Sequence, residues 1–184
     1  MSTMIQVTEP TMVLNEEVCK SNIARMAAKA KAANVSFRPH FKTHQSREIG
    51  EWFRTSGVDK ITVSSLNMAM KFAEWGWNDI TVAFPVNCLE QEKINALAAK
   101  IRLNLLLVHS EGAKQLSECL KYPVGVYLGV DTGYHRDGVD ADNYEKIERI
   151  MNIVAPDVNI KFEGFLTHAG HTYNARSKEE ILQI

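Results

Sequence analysis

The chain has 184 residues, 45% hydrophobic and 23% charged, with 21 basic against 22 acidic side chains and a formal charge of -1 at pH 7. This composition suits one folded domain rather than a disordered chain, and with no net basic field it offers no footing for nucleic acid or an anionic membrane. Cys19, Cys88 and Cys119 are odd in number and lack CxxC spacing, which argues against a disulfide framework or a zinc knot and fits a reducing cytoplasm. Residues 1–11 carry Gln6 and Glu9 where a secretory leader needs an apolar run, and no later segment stays apolar long enough to span a bilayer. The expectation is a soluble cytoplasmic protein.

In chain order, the first helix is predicted over residues 15–33. Asn15 suits the N-cap, Glu16 and Glu17 the first turn, and Val18, Ile23, Met26, Ala27 and Ala30 form an apolar stripe. A first strand follows at 35–42. Helices at 46–55, 66–75, 90–99, 111–120 and 143–153 then alternate with strands at 60–63, 80–84, 103–108, 125–130 and 160–166, and a last helix opens at Ser177.

Short, nearly continuous apolar strands between amphipathic helices predict a parallel sheet covered by helices in one α/β domain. Six such units make either an open doubly wound sheet or three quarters of a (β/α)8 TIM-type barrel. No GxGxxG follows the first strand and no GxxxxGK[ST] occurs, which removes the usual reason to prefer the open sheet. A chain ending inside an apparent helix favours the incomplete barrel.

Three motifs carry the reactive residues. Phe37-Arg38-Pro39-His40-Phe41-Lys42-Thr43-His44 sets a lysine between two histidines at a strand end, where alternation would turn His40, Lys42 and His44 to one side. An amine among imidazoles and apolar neighbours can lose its proton at lower pH and act as a nucleophile; a solvated basic turn is the alternative.

The second motif, Val130-Asp131-Thr132-Gly133-Tyr134-His135-Arg136-Asp137-Gly138, offers Arg136 to a phenolate, phosphate or carboxylate oxygen, unless Asp131 and Arg136 only pair with each other. The third, Gly164-Phe165-Leu166-Thr167-His168-Ala169-Gly170-His171-Thr172-Tyr173, supplies hydroxyls, imidazoles and a phenol. His40, His44, His135, His168 and His171 all follow predicted strands, whose C-terminal ends share one face of a barrel; His109 stands apart. Zinc is the competing reading, through His168 with His171 or His40 with His44, although no HExxH is present.

Taken in order, RPHFKTH, VDTGYHRDGV and GFLTHAGHTY resemble the N-terminal half of the D-threonine aldolase and D-serine dehydratase family, pyridoxal-phosphate enzymes related in fold to alanine racemase. The resemblance runs from about Pro10 through the whole chain, and makes residues 1–184 an alanine racemase-like N-terminal barrel domain. It implies pyridoxal 5'-phosphate held on Lys42 as an internal aldimine. It also implies Arg136 near the cofactor's phenolic oxygen and a cofactor site that includes Tyr173, with Thr172, His168, His40 and His135 beside it.

The implied activity is aldol cleavage, elimination or racemisation of a small D-amino acid such as D-threonine or D-serine. A non-catalytic pyridoxal-phosphate carrier and an inactive fragment are the alternatives. Family members are dimers and continue into further barrel strands and a β domain with a His-x-Cys divalent-metal site. The expectation is therefore a homodimer, with phosphate and metal sites outside this N-terminal part and no metal site within it. Two positions depart from the pattern: Gly129 stands where alanine racemases carry a lysine, and Leu166 where D-serine dehydratases carry a tyrosine facing the pyridine ring.

Overall fold

A computed structural model describes residues 7–184; the reading of residues 1–11 as leaderless lies partly outside the described residues. Helix α1 spans Glu16–Ala32, and the Asn15 side chain caps it by accepting from the Val18 N–H at 3.0 Å. Its acidic first turn and basic last turn, Lys29 and Lys31, complement the helix dipole. Of the predicted stripe only Ile23 is buried, whereas Val18 and Met26 stay exposed.

The strand predicted at 35–42 is reduced to a single parallel bridge between His40 and Thr62, after which Phe41–Thr43 close into a 3₁₀ turn. Pro39 explains the loss: it has no N–H for a ladder.

The strands that do form are β1 (Ile61–Val63), β2 (Asp79–Pro85), β3 (Arg102–Leu107), β4 (Val124–Asp131), β5 (Val139–Asp140) and β6 (Ile160–Leu166), all paired in parallel. The unpredicted β5 only extends the top of β4 at Val130 and Asp131, and β6 runs beside β4 from Val124 to Gly129. Helices α2 (Arg47–Thr55), α3 (Leu66–Glu74), α4 (Gln91–Ala98), α5 (Ser110–Cys119), α6 (Tyr144–Val154) and α7 (Lys178–Gln183) complete the alternation. Among the described residues no helix is long and apolar enough to cross a membrane.

Apart from the two-residue β5, which β6 bypasses to pair with β4, strands that follow one another in the chain lie side by side in the sheet. That is barrel order; a doubly wound sheet reverses at a switch point. No ladder joins β6 to the Lys42 segment among the described residues, so the barrel is not closed. One sheet face packs on the helices, Val82, Leu105 and Val126 meeting Phe72, Ile94 and Leu116 in a single core. Each such side chain stabilises the fold by about 1.5–3 kcal/mol. The other face, carrying Thr62, Thr81 and Tyr127, lines the lumen.

Gly125 faces that lumen, where a Cβ would overlap Asn104 Oδ1 and lie 2.9 Å from Glu163 Cγ. Asn104 is wholly buried and donates to Asp79 Oδ1 at 3.2 Å, which leaves it little room to move. Gly125→Ala is therefore expected to cost about 1–3 kcal/mol, seen as a lower urea midpoint. An unchanged midpoint would mean that Asn104 yields freely.

Candidate active site

At the C-terminal ends of β1 and β2, the turn holding Lys42, the loop after β4 and the end of β6 surround a cavity of about 680 Å³. That size is ordinary for a small-molecule site. His40, Lys42, Arg136 and His168 line it together, so the three sequence motifs meet in one place. Its polar lining holds three cations, Arg38, Lys42 and Arg136, against one carboxylate, Asp137, while Phe84, Pro85 and Leu166 form an apolar wall. A second cavity of about 580 Å³ opens where Lys60 leads into β1, at the opposite end of the strands. Its reactive side chains are limited to Lys31, Lys60 and Asp59, none of them from the three motifs.

The Lys42 turn stands on Phe41, which is fully buried with ring centroids 5.0 Å from Phe53 and 5.1 Å from both Phe72 and Trp77. Lys42 itself is exposed and its amine makes no ion pair among the described residues. The expected alignment of His40, Lys42 and His44 on one side does not hold. In a 3₁₀ turn residues three apart share a side, so His44 falls in with Phe41. It stacks on Phe53 at 5.7 Å and is absent from the cavity. Burial lowers the pKa of His44, and its Nε2 is buried without a hydrogen-bond partner.

His40 accepts the Lys42 N–H on Nδ1 at 3.3 Å, which leaves the proton of the neutral ring on Nε2. Burial, helped by the charges of Lys42 and then His168, lowers its pKa from 6.5 to about 4. Between those values an unfolded chain takes up a proton that the folded chain refuses. The stability linked to neutral His40 is thus whole above pH 6.5 and is lost as the pH falls through 4. An NMR titration of His40 is expected to give a midpoint near 4, and His40→Gln to flatten the fall in melting temperature over that window. A midpoint at the ordinary value would contradict this environment.

In the second motif Asp131 pairs with His135 and not with Arg136. Its carboxylate accepts the backbone N–H of His135 at 3.0 Å and of Gly133 at 2.9 Å, and meets His135 Nδ1 at 2.9 Å. These bonds, led by the His135 N–H, hold its pKa at about 2. His135, at φ 58°, fastens the turn outside the cavity lining. Arg136 is oriented instead by Asp137, to which its Nε donates at 2.8 Å, leaving its terminal nitrogens to the cavity.

From the third motif, burial and then the Arg136 and Lys42 charges lower the pKa of His168, against the pull of Asp137. Tyr173 lies behind it, its hydroxyl 3.4 Å from His168 Nε2, and the Thr172 hydroxyl donates to Ala169 O at 2.7 Å. His171 turns away to stack against Tyr134 at 6.4 Å. Of the histidine pairs of the zinc reading, His40 and His44 are separated between cavity and core, while His168 and His171 both pack on Tyr134, at 5.3 and 6.4 Å. The described residues contain no group of three or more His, Cys, Asp or Glu placed to hold a metal.

A family model described as alanine racemase, N-terminal domain, matches residues 14–183. The chain belongs to this family. Among curated proteins it is 29% identical to a D-serine dehydratase of Dictyostelium discoideum over 95% of its length, and 32% identical to a D-threo-3-hydroxyaspartate dehydratase of Delftia sp. (strain HT23) over 97%. In both cases it spans 48% of the relative, about half. The solved Delftia dehydratase superposes with a TM-score of 0.82 at 28% identity, covering 90% of this chain and 44% of that one. A D-threonine aldolase from Filomicrobium marinum shares the fold, with a TM-score of 0.84 at 23% identity over 91% of this chain and 46% of that one.

Within this alanine racemase-like frame, a Cβ on Gly129 would lie 2.9 Å from Val108 Cγ1 and 3.3 Å from Leu106 Cδ1. A lysine does not fit there without repacking the lumen. Leu166, the other departure, contributes to the cavity's apolar wall. Sequence reasoning passed over Arg38, Thr62, Ser64, Phe84, Asp137 and Thr167, which also line the site. Thr62 and Ser64 had one readable signal, as polar residues just where a buried strand ends.

Proposed function

We propose that residues 1–184 are the lysine-bearing barrel domain of a pyridoxal-phosphate-dependent lyase, an aldolase or dehydratase of small D-amino acids, with Lys42 as the point of cofactor attachment. One observation carries the reading: Lys42, Arg136 and His168, far apart in sequence, line one cavity whose charged side chains are mostly cationic. Those donors suit the cofactor, an amine for its aldehyde and cations for its oxygen anions.

When bound, pyridoxal phosphate supplies an electron sink for bonds at the substrate's α carbon. Lys42 would hold the cofactor by its aldehyde and, when its amine is free, would hold or move a proton at Nζ. Arg136, oriented by Asp137, binds a ligand oxygen, and neutral His40 presents an N–H from Nε2. His168, backed by Tyr173, takes the side formed by the end of β6. Thr172 and His135 support the loops behind these residues, and the wall of Phe84, Pro85 and Leu166 limits the access of water.

The substrates named for the relatives are D-serine, D-threonine and D-threo-3-hydroxyaspartate, all amino acids with a hydroxyl on the β carbon. A β-hydroxy D-amino acid is the substrate class proposed here, with a homodimer and a divalent metal belonging to the whole protein. Incubating the intact, cofactor-loaded protein with these three compounds distinguishes ammonia release by a dehydratase from aldehyde release by an aldolase. Cofactor binding with neither product would replace the enzyme reading by the carrier.

A further inference from the structure

We propose that Arg38 is a positioning residue for Lys42, its guanidinium replacing the strand ladder that the lysine segment lacks. This rests on Lys42 being the attachment point.

The segment before Lys42 is tied to the sheet by little backbone bonding: the His40 bridge to Thr62, with the Thr62 N–H donating to Pro39 O at 2.8 Å. Pro39 has no N–H to add. Arg38 makes the tie with its side chain. Its Nη1 donates to Asp79 Oδ1 at 2.7 Å and reaches the carbonyl oxygens of Ile61 at 3.3 Å and Asp79 at 3.4 Å, spanning β1 and β2. Asp79 is fixed in turn by Asn104 Nδ2 at 3.2 Å and Arg102 at 3.7 Å, and Arg102 donates to Glu163 on β6 at 2.8 Å. One chain of polar contacts therefore runs from the lysine segment across the lumen.

The Arg38 and Asp79 side chains are only 18% and 17% exposed. A shielded ion pair adds little net stability compared with a well-packed apolar pair, so its contribution lies in selecting one conformation. Here that conformation directs Lys42, four residues on, into the cavity that Arg38 also lines. Phe41 anchors the turn from the core side and Arg38 from the lumen side. Small misplacements of a reacting group cost large factors in rate, which gives the second anchor its importance.

The test uses the intact protein with pyridoxal phosphate, comparing wild type, Arg38→Met, Arg38→Lys and Asp79→Asn. Arg38→Met and Asp79→Asn are each expected to weaken cofactor binding by about tenfold, the scale of one charged hydrogen bond. They are also expected to speed hydrogen exchange at the amides of residues 41–44 while leaving β3 unchanged. Arg38→Lys, which keeps a donor cation, recovers most of the affinity. Unchanged affinity and exchange in both variants would overturn the inference, as would faster exchange spread evenly over the sheet. Borohydride labelling of wild type separates the two claims. A label on another lysine defeats the attachment reading, whereas a label on Lys42 with affinity unaltered in Arg38→Met defeats only the positioning role.

Discussion

Lys42→Ala is expected to remove the visible absorbance of the cofactor-loaded protein and to lower kcat by roughly 10⁴-fold or more, the scale on which enzymes lose a residue that forms a covalent intermediate. The same change is expected to leave folding stability within about 0.5 kcal/mol. Lys42 is exposed and its amine has no ion-pair partner among the described residues, so the fold gains little from it. The turn that presents it is held by its neighbours. Retained absorbance in the alanine variant would place the reacting amine elsewhere; a large loss of stability would show that Lys42 has a structural role.

Phe41→Ala is expected to do the reverse, destabilising the protein by about 3–5 kcal/mol. Phe41 is fully buried among Phe53, Phe72 and Trp77, rings contributed by α2, by α3 and by the segment before β2, so its removal opens a cavity that rigid neighbours cannot close. Urea unfolding measures the loss. Because Phe41 and Lys42 share one turn, cofactor affinity is expected to fall even under conditions where the variant remains folded. A loss below about 1 kcal/mol would mean that the aromatic cluster collapses onto the gap.

Most of this architecture was legible in the sequence because local signals and tertiary packing agreed. Asn15, Ser46, Ser65 and Asn143 each cap the helix that follows, and the apolar runs at 80–84, 103–108, 125–130 and 160–166 became strands within a residue or two. Periodicity failed where one residue outweighed a pattern. Residues 35–42 alternate like a strand, but Pro39 removes a donor and the chain tightens into a 3₁₀ turn, which reverses the placement of His44.

Periodicity could not choose between barrel and open sheet, since both use the same apolar strands; the missing nucleotide motifs and the resemblance favoured the barrel, and strand order bears it out. At the site, Lys42, Arg136 and His168 were visible as reactive residues beside turns. Their companions Arg38 and Asp137 were not, because their importance comes from pairing. Asp79 lies 41 residues from Arg38, while the adjacent Asp137 was passed over for Asp131 as the partner of Arg136.

The most direct test of the central claim is to reduce the cofactor-loaded intact protein with borohydride, digest it, and locate the pyridoxyl group by peptide mass spectrometry. Modification of Lys42, blocked in Lys42→Ala, is the predicted result. Cofactor bound stoichiometrically with the label on a different lysine, or with no lysine labelled, would contradict it.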